Sequence, residues 1–380
     1  MFQAVEQNSL PQTSRPVAVF ASFSGHGGVE RMLINLLRGF VDLGQEIDLV
    51  LVRDTSPHLA RLPDRVNLIR LGTPHTLFAA PALARYLRER RPLAILAAKD
   101  RGGRAAVLAR ALSGTRTPIL MRLGTHLSTA MTDRTAIERW LRYAPIRLLY
   151  PQIERIIAVS NGVADDTARI ARIPRHSISV IRNPVITPEL ETQAAESCPH
   201  RWFAPGQPPV ILGVGRLQRQ KDFATLIRAF AQLRQRVNAR LVILGEGSGR
   251  RALMALIAEL ALEDCVDLPG FQRNPYPFLA HARLFALSSA WEGSPNVLTE
   301  AMALGIPVVS TDCLSGPSEI LDDGRYGRLV PVGDASALAA AMHATLAQPL
   351  ASAVLREAVT EYEQRRSAEC YLQEIRSVCG

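Results

Sequence analysis

Long apolar runs and paired cysteines are both missing from this 380-residue sequence. No apolar stretch approaches the roughly 18 residues that a membrane-spanning helix needs. The five cysteines are scattered and form no Cys-x-x-Cys pair, which argues against a disulfide framework or a zinc site. The polar segment Met1–Arg15 lacks the apolar region of a signal peptide, so we expect a cytoplasmic protein.

Lysine is also scarce, since Lys99 and Lys221 are the only two, and the net charge of +9 comes from arginine. Residues 1–185 hold 26 basic and 14 acidic residues, whereas the remainder holds 18 and 21. This asymmetry indicates that the first half meets an anionic partner such as nucleic acid, a membrane surface or a phosphorylated substrate. An arginine-rich coding bias is the alternative. Nucleic acid is least favoured, because the charge is not interleaved with aromatic stacking residues.

Short apolar runs alternate with stretches of helical periodicity in both halves of the chain. This alternation predicts two successive doubly wound α/β domains, each with a parallel sheet covered on both faces. Ligands bind such sheets at the carboxyl ends of their strands. We predict a first domain over residues 1–184, a linker over 185–209, a second domain over 210–350 and a helical tail over 351–380.

The first glycine-rich segment, Ser24–Glu30, follows the first predicted strand and opens the first helix. Gly27 and Gly28 would let the backbone approach a ligand, and amides at a helix start point at anions. The segment matches neither the Gly-x-Gly-x-x-Gly pattern nor the P-loop pattern, which disfavours nicotinamide, flavin and P-loop nucleotide sites. A tight turn also needs glycine, but three glycines in four positions favour an anion site.

A second loop, Gly213–Asp222, follows the first strand of the second domain and contains Arg216 and Lys221. A guanidinium beside an ammonium group can bind a diphosphate. The alternative is an ordinary surface pair between Lys221 and Asp222. We favour the diphosphate site, because Lys221 stands out in a chain that otherwise uses arginine.

The most informative segment is Trp291–Glu300, which leads from a predicted strand into a helix. Backbone amides from Gly293 to Val297 would lie at the positive end of the helix dipole, where phosphate binds. Glu292 and Glu300 would repel phosphate, so hydroxyl groups are their natural partners. An acid at a helix start is common and could explain Glu300 alone. Taken together, the backbone amides and the two carboxylates of this segment fit a ligand with a diphosphate between two polyol rings, such as a nucleotide-sugar.

Glu292 and Glu300 match an E-x7-E motif, and the sequence resembles the family-four retaining glycosyltransferases of the GT-B fold, which have two Rossmann-like domains facing across a cleft. Other segments agree with this resemblance in the same order along nearly the whole chain. They are Gly27–Glu30, Ala158–Val163, Gly215–Leu217, Gln220–Asp222, Leu244–Gly247, Pro269–Phe271, Glu300–Val309 and Ser315–Leu321.

The resemblance implies roles for individual residues. Arg216 and Lys221 would hold the donor diphosphate, and Glu300 would bind the ribose hydroxyls. Glu292 and the amides of Gly293, Ser294, Pro295, Asn296 and Val297 would hold the transferred sugar and the phosphates. Phe271 and Arg273 lie where the base is read, while Gly27 and Gly28 would reach the phosphates from the first domain. The tail helix would cross back over the first domain.

The resemblance also singles out His126, which follows a first-domain strand and would lie close to the transferred sugar. Nearby Arg122 would meet an acceptor or a phosphate. A loop histidine is more often ordinary polar surface. The segment Arg134–Arg155 combines basic residues with Trp140 and Tyr143, which is typical of a helix lying on an anionic membrane. An ordinary helix with a solvated basic face explains it equally well.

The expected reaction moves a hexose, with uridine diphosphate as the expected carrier, onto a hydroxyl of a lipid-linked or surface-polysaccharide acceptor. The resemblance implies retention, an α-linkage and catalytic roles for His126, Glu292, Arg216 and Lys221. No cofactor and no metal site are expected, since an Asp-x-Asp triplet is missing. The alternatives are a sugar-nucleotide epimerase on the same fold and a non-catalytic nucleotide-sugar-binding subunit.

Overall fold

The computed structural model describes residues 15–25, 28–73, 75–131 and 134–379. The strands are β1 Val17–Phe23, β2 Ile47–Asp54, β3 Val66–Arg70, β4 Ala94–Ala97, β5 Ile119–Leu123, β6 Arg155–Ala158, β7 Ile178–Val180, β8 Val210–Val214, β9 Arg240–Leu244, β10 Val266–Gly270, β11 Leu284–Leu287, β12 Val308–Thr311 and β13 Arg328–Val330. The α-helices are α1 Gly28–Asp42, α2 Ala80–Arg90, α3 Asp100–Ser113, α4 Ala136–Leu149, α5 Asn161–Ala171, α6 Leu190–Ala194, α7 Phe223–Arg234, α8 Arg250–Glu259, α9 Tyr276–His281, α10 Asn296–Ala303, α11 Pro317–Ile320, α12 Ala335–Ala347, α13 Ser352–Glu357 and α14 Gln364–Cys379.

The strands form two sheets. A seven-stranded sheet has the order β3-β2-β1-β4-β5-β6-β7, and a six-stranded sheet has the order β10-β9-β8-β11-β12-β13. The strand pairs are parallel, for example β1 with β4 and β8 with β11. Chain order reverses at β1 and again at β8, so each sheet has a topological switch point. The prediction of two doubly wound, Rossmann-like sheets is confirmed.

Alternation along the central strands explains how the second sheet is buried on both faces. In β8, Val210 and Leu212 pack into one apolar cluster, whereas Ile211 packs into another on the opposite face. Successive strand side chains point to opposite faces, so a strand that is apolar at every position needs a cover on each side. Helix α10 covers the first face and α7 the second, and both begin at the carboxyl ends of strands.

Several predicted elements were wrong or incomplete. The edge strands β3 and β13 and the short helices α9 and α11 were not predicted. The tail is not one helical stretch, because α13 and α14 are separated by a 3-10 turn at Thr360–Tyr362. The predicted linker over 185–209 contains α6, and its Leu190 and Trp202 are part of the apolar core.

The chain divides into two compact units. The first consists of Met1–Arg122, Leu149–Arg155 and Tyr371–Gly380, and the second of Leu123–Leu148 and Ile156–Cys370. The end of α14 therefore belongs to the first unit, where Glu374 forms a 2.9 Å ion pair with Arg155. Among the described residues, no helix combines the length and the apolarity needed to cross a bilayer.

Candidate functional site

Three loops meet at the carboxyl edge of the second sheet, after the neighbouring strands β8, β11 and β12. The first two loops are joined directly. The side-chain amide of Gln220 donates to the carbonyl of Trp291 at 3.0 Å, and the amide of Ala290 donates to the carbonyl of Gln220 at 2.8 Å. Parallel strands bring these loops together, so residues far apart in the sequence share one edge.

An ion pair joins the same two loops. Lys221 Nζ lies 2.5 Å from Glu292 Oε1, and the two side chains are only 15% and 8% exposed. The hydroxyl of Ser289 donates to the same carboxylate oxygen at 2.7 Å. The cation that pairs with Glu292 comes from the loop after another strand, so the local sequence around Glu292 does not reveal it. A lysine ammonium has three N–H groups, so the pair leaves Lys221 able to bind a further anion.

Glycine at position 215 makes room for Lys221. A Cβ added to Gly215 would lie 2.9 Å from Lys221 Cε and 3.0 Å from Cγ. Asp222 follows in a left-handed conformation, with φ of 42°, and its side chain caps α7. Gly215 therefore leaves space for the stem of Lys221, and the cap by Asp222 fixes the start of α7 next to it. Arg216 is exposed on the same loop, with Nη2 3.4 Å from Gln220 Oε1.

Helix α10 begins after Pro295, which has no amide hydrogen. The other residues of the predicted phosphate-binding segment must therefore supply the N–H donors for a phosphate. Asn296 accepts a hydrogen bond from the Asn183 side chain at 2.8 Å. Glu300 is buried, with 2% exposure, and the hydroxyl of Tyr276 lies 3.5 Å from its Oε1. Glu300, the residue predicted to bind the ribose, therefore lies beneath the surface of the site.

Phe271 and Arg273, predicted to meet a base, follow β10 on the same sheet. Both residues are exposed, and the exposed fraction of Phe271 is 51%. Strand β10 ends at Gly270, whose φ of 87° turns the chain at this point. Phe271 and Arg273 therefore both lie exposed at the edge of the second sheet.

His126 belongs to the second unit, and it joins the donor-side loops to α5. Its Nε2 lies 2.7 Å from the Ser315 hydroxyl, which in turn is 3.4 Å from the carbonyls of Glu292 and Gly293. Its Nδ1 lies 3.8 Å from the buried carboxylate of Asp166. Burial lowers the pKa of His126, an effect that Asp166 opposes and Arg169 reinforces. His126 is therefore neutral at neutral pH.

Glu319 on α11 holds the loop after β12 against the start of α5. Its carboxylate accepts from the amides of Asn161 and Gly162 at 2.8 and 3.0 Å and pairs with Arg182 at 2.8 Å. Burial alone would raise the pKa of Glu319, but these hydrogen bonds and the guanidinium outweigh it and lower the pKa. This contact fixes Ser315 and Asp166 on either side of His126.

In the first unit, the carboxylate of Glu30 accepts hydrogen bonds from backbone amides of the glycine-rich loop after β1. Glu30 Oε1 accepts from the amides of Ser24 and Gly25 at 2.9 and 3.1 Å. Gly28 is exposed and is the first residue of α1, whereas Gly27 lies outside the described residues. Arg122 is 3% exposed beside Tyr371, and its pKa is lowered by burial, so it does not project from the surface.

Helix α4 presents an apolar outer face. Ile137, Trp140, Leu141 and Leu148 are between 59% and 72% exposed, and their spacing places them on one side of the helix. Tyr143 and Ile146 are buried instead. The predicted basic helix therefore has an exposed apolar stripe, and helical spacing places Arg139 and Arg142 on the side of the helix away from that stripe.

The sequence interpretation missed four residues that shape this site: Ser289, Ser315, Asp166 and Tyr276. Ser315 lies in a segment that carried the resemblance, yet no role was assigned to it. Nothing in the local sequence distinguishes the other three. Among the residues that the structure describes, no group of three or more His, Cys, Asp or Glu side chains could hold a metal ion.

Comparison with protein families gives two matches that together span most of the chain. The model described as Glycosyl transferases group 1 matches residues 198–366, and the model described as Glycosyltransferase Family 4 matches residues 26–188. The first match contains the loops after β8, β11 and β12. The second contains residues 26–30 of the glycine-rich segment, His126 and α4.

Individual relatives agree with these families. The chain is 31% identical to the N-acetylgalactosamine-N,N'-diacetylbacillosaminyl-diphospho-undecaprenol 4-alpha-N-acetylgalactosaminyltransferase of Campylobacter jejuni, over 85% of this chain and 87% of that protein. It is 28% identical to the lipopolysaccharide 1,6-galactosyltransferase of Escherichia coli, over 70% and 69% of the two chains. The crystal structure of Anabaena Alr3699/HepE in complex with UDP superposes with a TM-score of 0.72 at 19% identity, over 96% of this chain and 99% of that one. At that identity the superposition shows a shared fold.

Proposed function

This chain belongs to the group 1 glycosyltransferases, and from that premise we propose that it moves a hexose from a uridine diphosphate sugar to a hydroxyl group of a lipid-linked or surface-polysaccharide acceptor. The observation that carries the proposal is the ion pair of Lys221 with Glu292 at the carboxyl edge of the second sheet. The pair places an ammonium group, which can bind phosphate, beside a carboxylate, which can bind sugar hydroxyl groups. A site for a nucleotide-sugar needs both groups, because the sugar is attached directly to the diphosphate.

The donor is proposed to lie across the loops after β8, β10 and β11. Arg216 and Lys221 bind the diphosphate, and the first turn of α10 adds its dipole. Glu292 accepts hydrogen bonds from the transferred sugar, and Glu300 accepts them from the ribose. Phe271 and Arg273 contact the base. The uridine assignment is supported by the fold shared with a protein solved with UDP.

The proposed chemistry breaks the bond between the anomeric carbon and the diphosphate oxygen and forms a new bond from that carbon to the acceptor oxygen. Negative charge develops on the leaving diphosphate, where Arg216 and Lys221 stabilise it in place of a metal. The acceptor proton passes to the leaving phosphate on the same face of the sugar, which gives retention and an α-linkage. His126 is proposed to contact the transferred sugar through Nε2 once Ser315 gives up that hydrogen bond.

The acceptor is proposed to reach the enzyme from a membrane surface, which makes the chain a peripheral protein of the cytoplasmic face. Two relatives support this proposal, since one is named for an undecaprenol-linked substrate and the other for lipopolysaccharide. The exposed apolar stripe of α4 has the chemistry to enter the interface of a bilayer, and the arginines elsewhere on this helix, Arg139, Arg142 and Arg147, can attract anionic lipid headgroups.

The proposed function is tested by measuring release of UDP from four donors: UDP-glucose, UDP-galactose and their N-acetylated counterparts. The assay contains EDTA and bacterial lipid extract as the source of acceptor, and the anomeric configuration of the product is read by NMR. We expect one donor to support turnover and an α-linked product. A product formed without loss of UDP would point to epimerisation, and no turnover with or without added magnesium would contradict the proposal.

A further inference from the structure

A cavity of about 200 Å³ lies in the second unit at the amino edge of the six-stranded sheet. Val308 and Arg328, the first residues of β12 and β13, line it. The proposed donor loops follow β8, β10 and β11, so they lie at the carboxyl edge of the same parallel sheet. The four residues of β12 span roughly 13 Å between these edges. A molecule held in this cavity is therefore out of reach of the donor and is not a substrate of the proposed transfer.

The charged groups at this cavity are cationic. Arg325 and Arg328 line it, whereas no carboxylate lines it among the residues that the structure describes. Asp322 pairs with Arg325 at 3.3 Å, but both side chains are more than half exposed, so water screens that pair. Guanidinium groups are planar and bind a phosphate through two parallel N–H donors. The charge of the cavity therefore favours a ligand with a phosphate group.

Hydrogen-bonding groups from the end of α12 line the same cavity. Thr345 belongs to the last turn of the helix, and Gln348 follows it. Thr345 is 7% exposed, and its hydroxyl has no hydrogen-bond partner in the described part of the chain. A buried hydroxyl without a partner is costly, and the last carbonyls of a helix also require donors. This end of the cavity therefore favours a ligand with several hydroxyl groups.

The size of the cavity and its one lining aromatic residue argue against a nucleotide. The volume is below the range for drug-sized ligands, which begins at about 300 Å³. The Arg325 guanidinium lies over the Tyr326 ring, 5.1 Å from its centroid, and Tyr326 also packs against the apolar core, so a base would have to displace one of these contacts. Leu350 and Leu355 add apolar groups, which can meet the C–H face of a single sugar ring.

We propose that this cavity binds a monosaccharide phosphate. Arg325 and Arg328 bind the phosphate, and Thr345 and Gln348 bind the sugar hydroxyls. The ligand supplies the partner that the Thr345 hydroxyl lacks. This site goes beyond the proposed glycosyl transfer, because its ligand is an effector that binds away from the donor loops and takes no part in the reaction.

Ligand-observed NMR on the full chain, in the presence of UDP, tests the proposal. The probes are the 6-phosphates of glucose, mannose and N-acetylglucosamine, with glucose and inorganic phosphate as controls. We expect at least one sugar phosphate to bind at least tenfold more tightly than either control. The double variant Arg325→Gln with Arg328→Gln should weaken that binding at least tenfold. Arg251→Gln, at an exposed position on α8 outside the cavity, should have no effect.

Thr345→Val separates binding from structure. Without ligand, this variant should have a higher melting temperature than the unaltered chain, because it removes a buried hydroxyl that has no partner. It should nevertheless bind the sugar phosphate at least threefold more weakly. A hydroxyl with only a structural role would change the melting temperature and leave the binding as it was, which would remove Thr345 from the site.

Three outcomes would overturn the site: no binding of any sugar phosphate, equal binding of inorganic phosphate, or undiminished binding by the double arginine variant. Both arginines are exposed, so the double variant should fold, and a melting temperature equal to that of the unaltered chain checks this. Failure of the proposed function is recognised separately, because nucleotide-sugar binding should be the same in the double variant and in the unaltered chain.

Discussion

The ammonium group of Lys221 and the carboxylate of Glu292 lie 2.5 Å apart, although 71 residues separate them in the sequence. Both side chains are largely buried, so each charge depends on the other for its stability. The pair also fixes the two side chains that are proposed to meet the diphosphate and the sugar. Structure and substrate binding are therefore coupled at this one contact.

Replacing Lys221 is expected to harm both stability and donor binding. Lys221→Met leaves the Glu292 carboxylate buried without its cation, which should lower the free energy of unfolding by about 3 kcal/mol. Urea denaturation measures that loss, and calorimetry should show no nucleotide-sugar binding. The double variant Lys221→Met with Glu292→Gln removes both charges, so it should regain most of the stability but none of the binding. Equal stability of the single and double variants would contradict the coupling.

Glu300→Gln is expected to weaken donor binding without unfolding the chain. The ribose hydroxyls would lose a charged acceptor worth about 1.5–3 kcal/mol, which corresponds to roughly 10- to 150-fold in the dissociation constant. Calorimetric titration with the preferred donor measures the change. Glu263→Gln, at an exposed position away from the loops, is the matched control. Unchanged affinity in Glu300→Gln would remove Glu300 from the donor site.

His126 is expected to make the fold sensitive to acid. Its pKa is lowered by burial, so the unfolded chain, with a histidine pKa of about 6.5, takes up that proton first as the pH falls. Stability should therefore be full above about pH 6.5 and decrease below it. Chemical denaturation between pH 5 and pH 8 should show a smaller decrease for His126→Asn. His176→Asn, at an exposed histidine, should behave as the unaltered chain does.

The apolar stripe and the arginines of α4 are expected to act separately at a membrane. Replacing Ile137, Trp140, Leu141 and Leu148 with serine should abolish co-sedimentation with phosphatidylglycerol vesicles at every salt concentration. Replacing Arg139, Arg142 and Arg147 with glutamine should weaken it mainly at low salt, because electrostatic attraction is screened. If the unaltered chain does not sediment with these vesicles, membrane docking through α4 is wrong.

The elements predicted best from the sequence are those that are buried along their whole length. The short apolar runs that predicted the two sheets include β8 and β9, whose positions are almost all buried. The edge strand β13 has only three residues and begins with exposed Arg328, so it has no such pattern. Residues 358–363 interrupt the tail without a proline or glycine, and the break became visible only from packing, since Val359 and Tyr362 are buried in the core.

The site was only partly predictable for a related reason. The loops after β8 and β11 and the helix α10 have recognisable local patterns, so Arg216, Lys221, Glu292 and Glu300 could be named from the sequence. Their pairing could not, because it depends on the parallel order of β8 and β11. The contact between His126 and Ser315 spans 189 residues and has no local sequence signal at all.

Calorimetric titration with UDP-, GDP- and ADP-sugars, in buffer containing EDTA, tests the central claim most directly. The account predicts binding of a UDP-sugar without metal, and loss of that binding in the double variant Lys221→Met with Glu292→Gln, which retains its fold. Absence of binding across the whole panel, with and without EDTA, or undiminished binding by the double variant, would contradict a donor site built on Lys221 and Glu292.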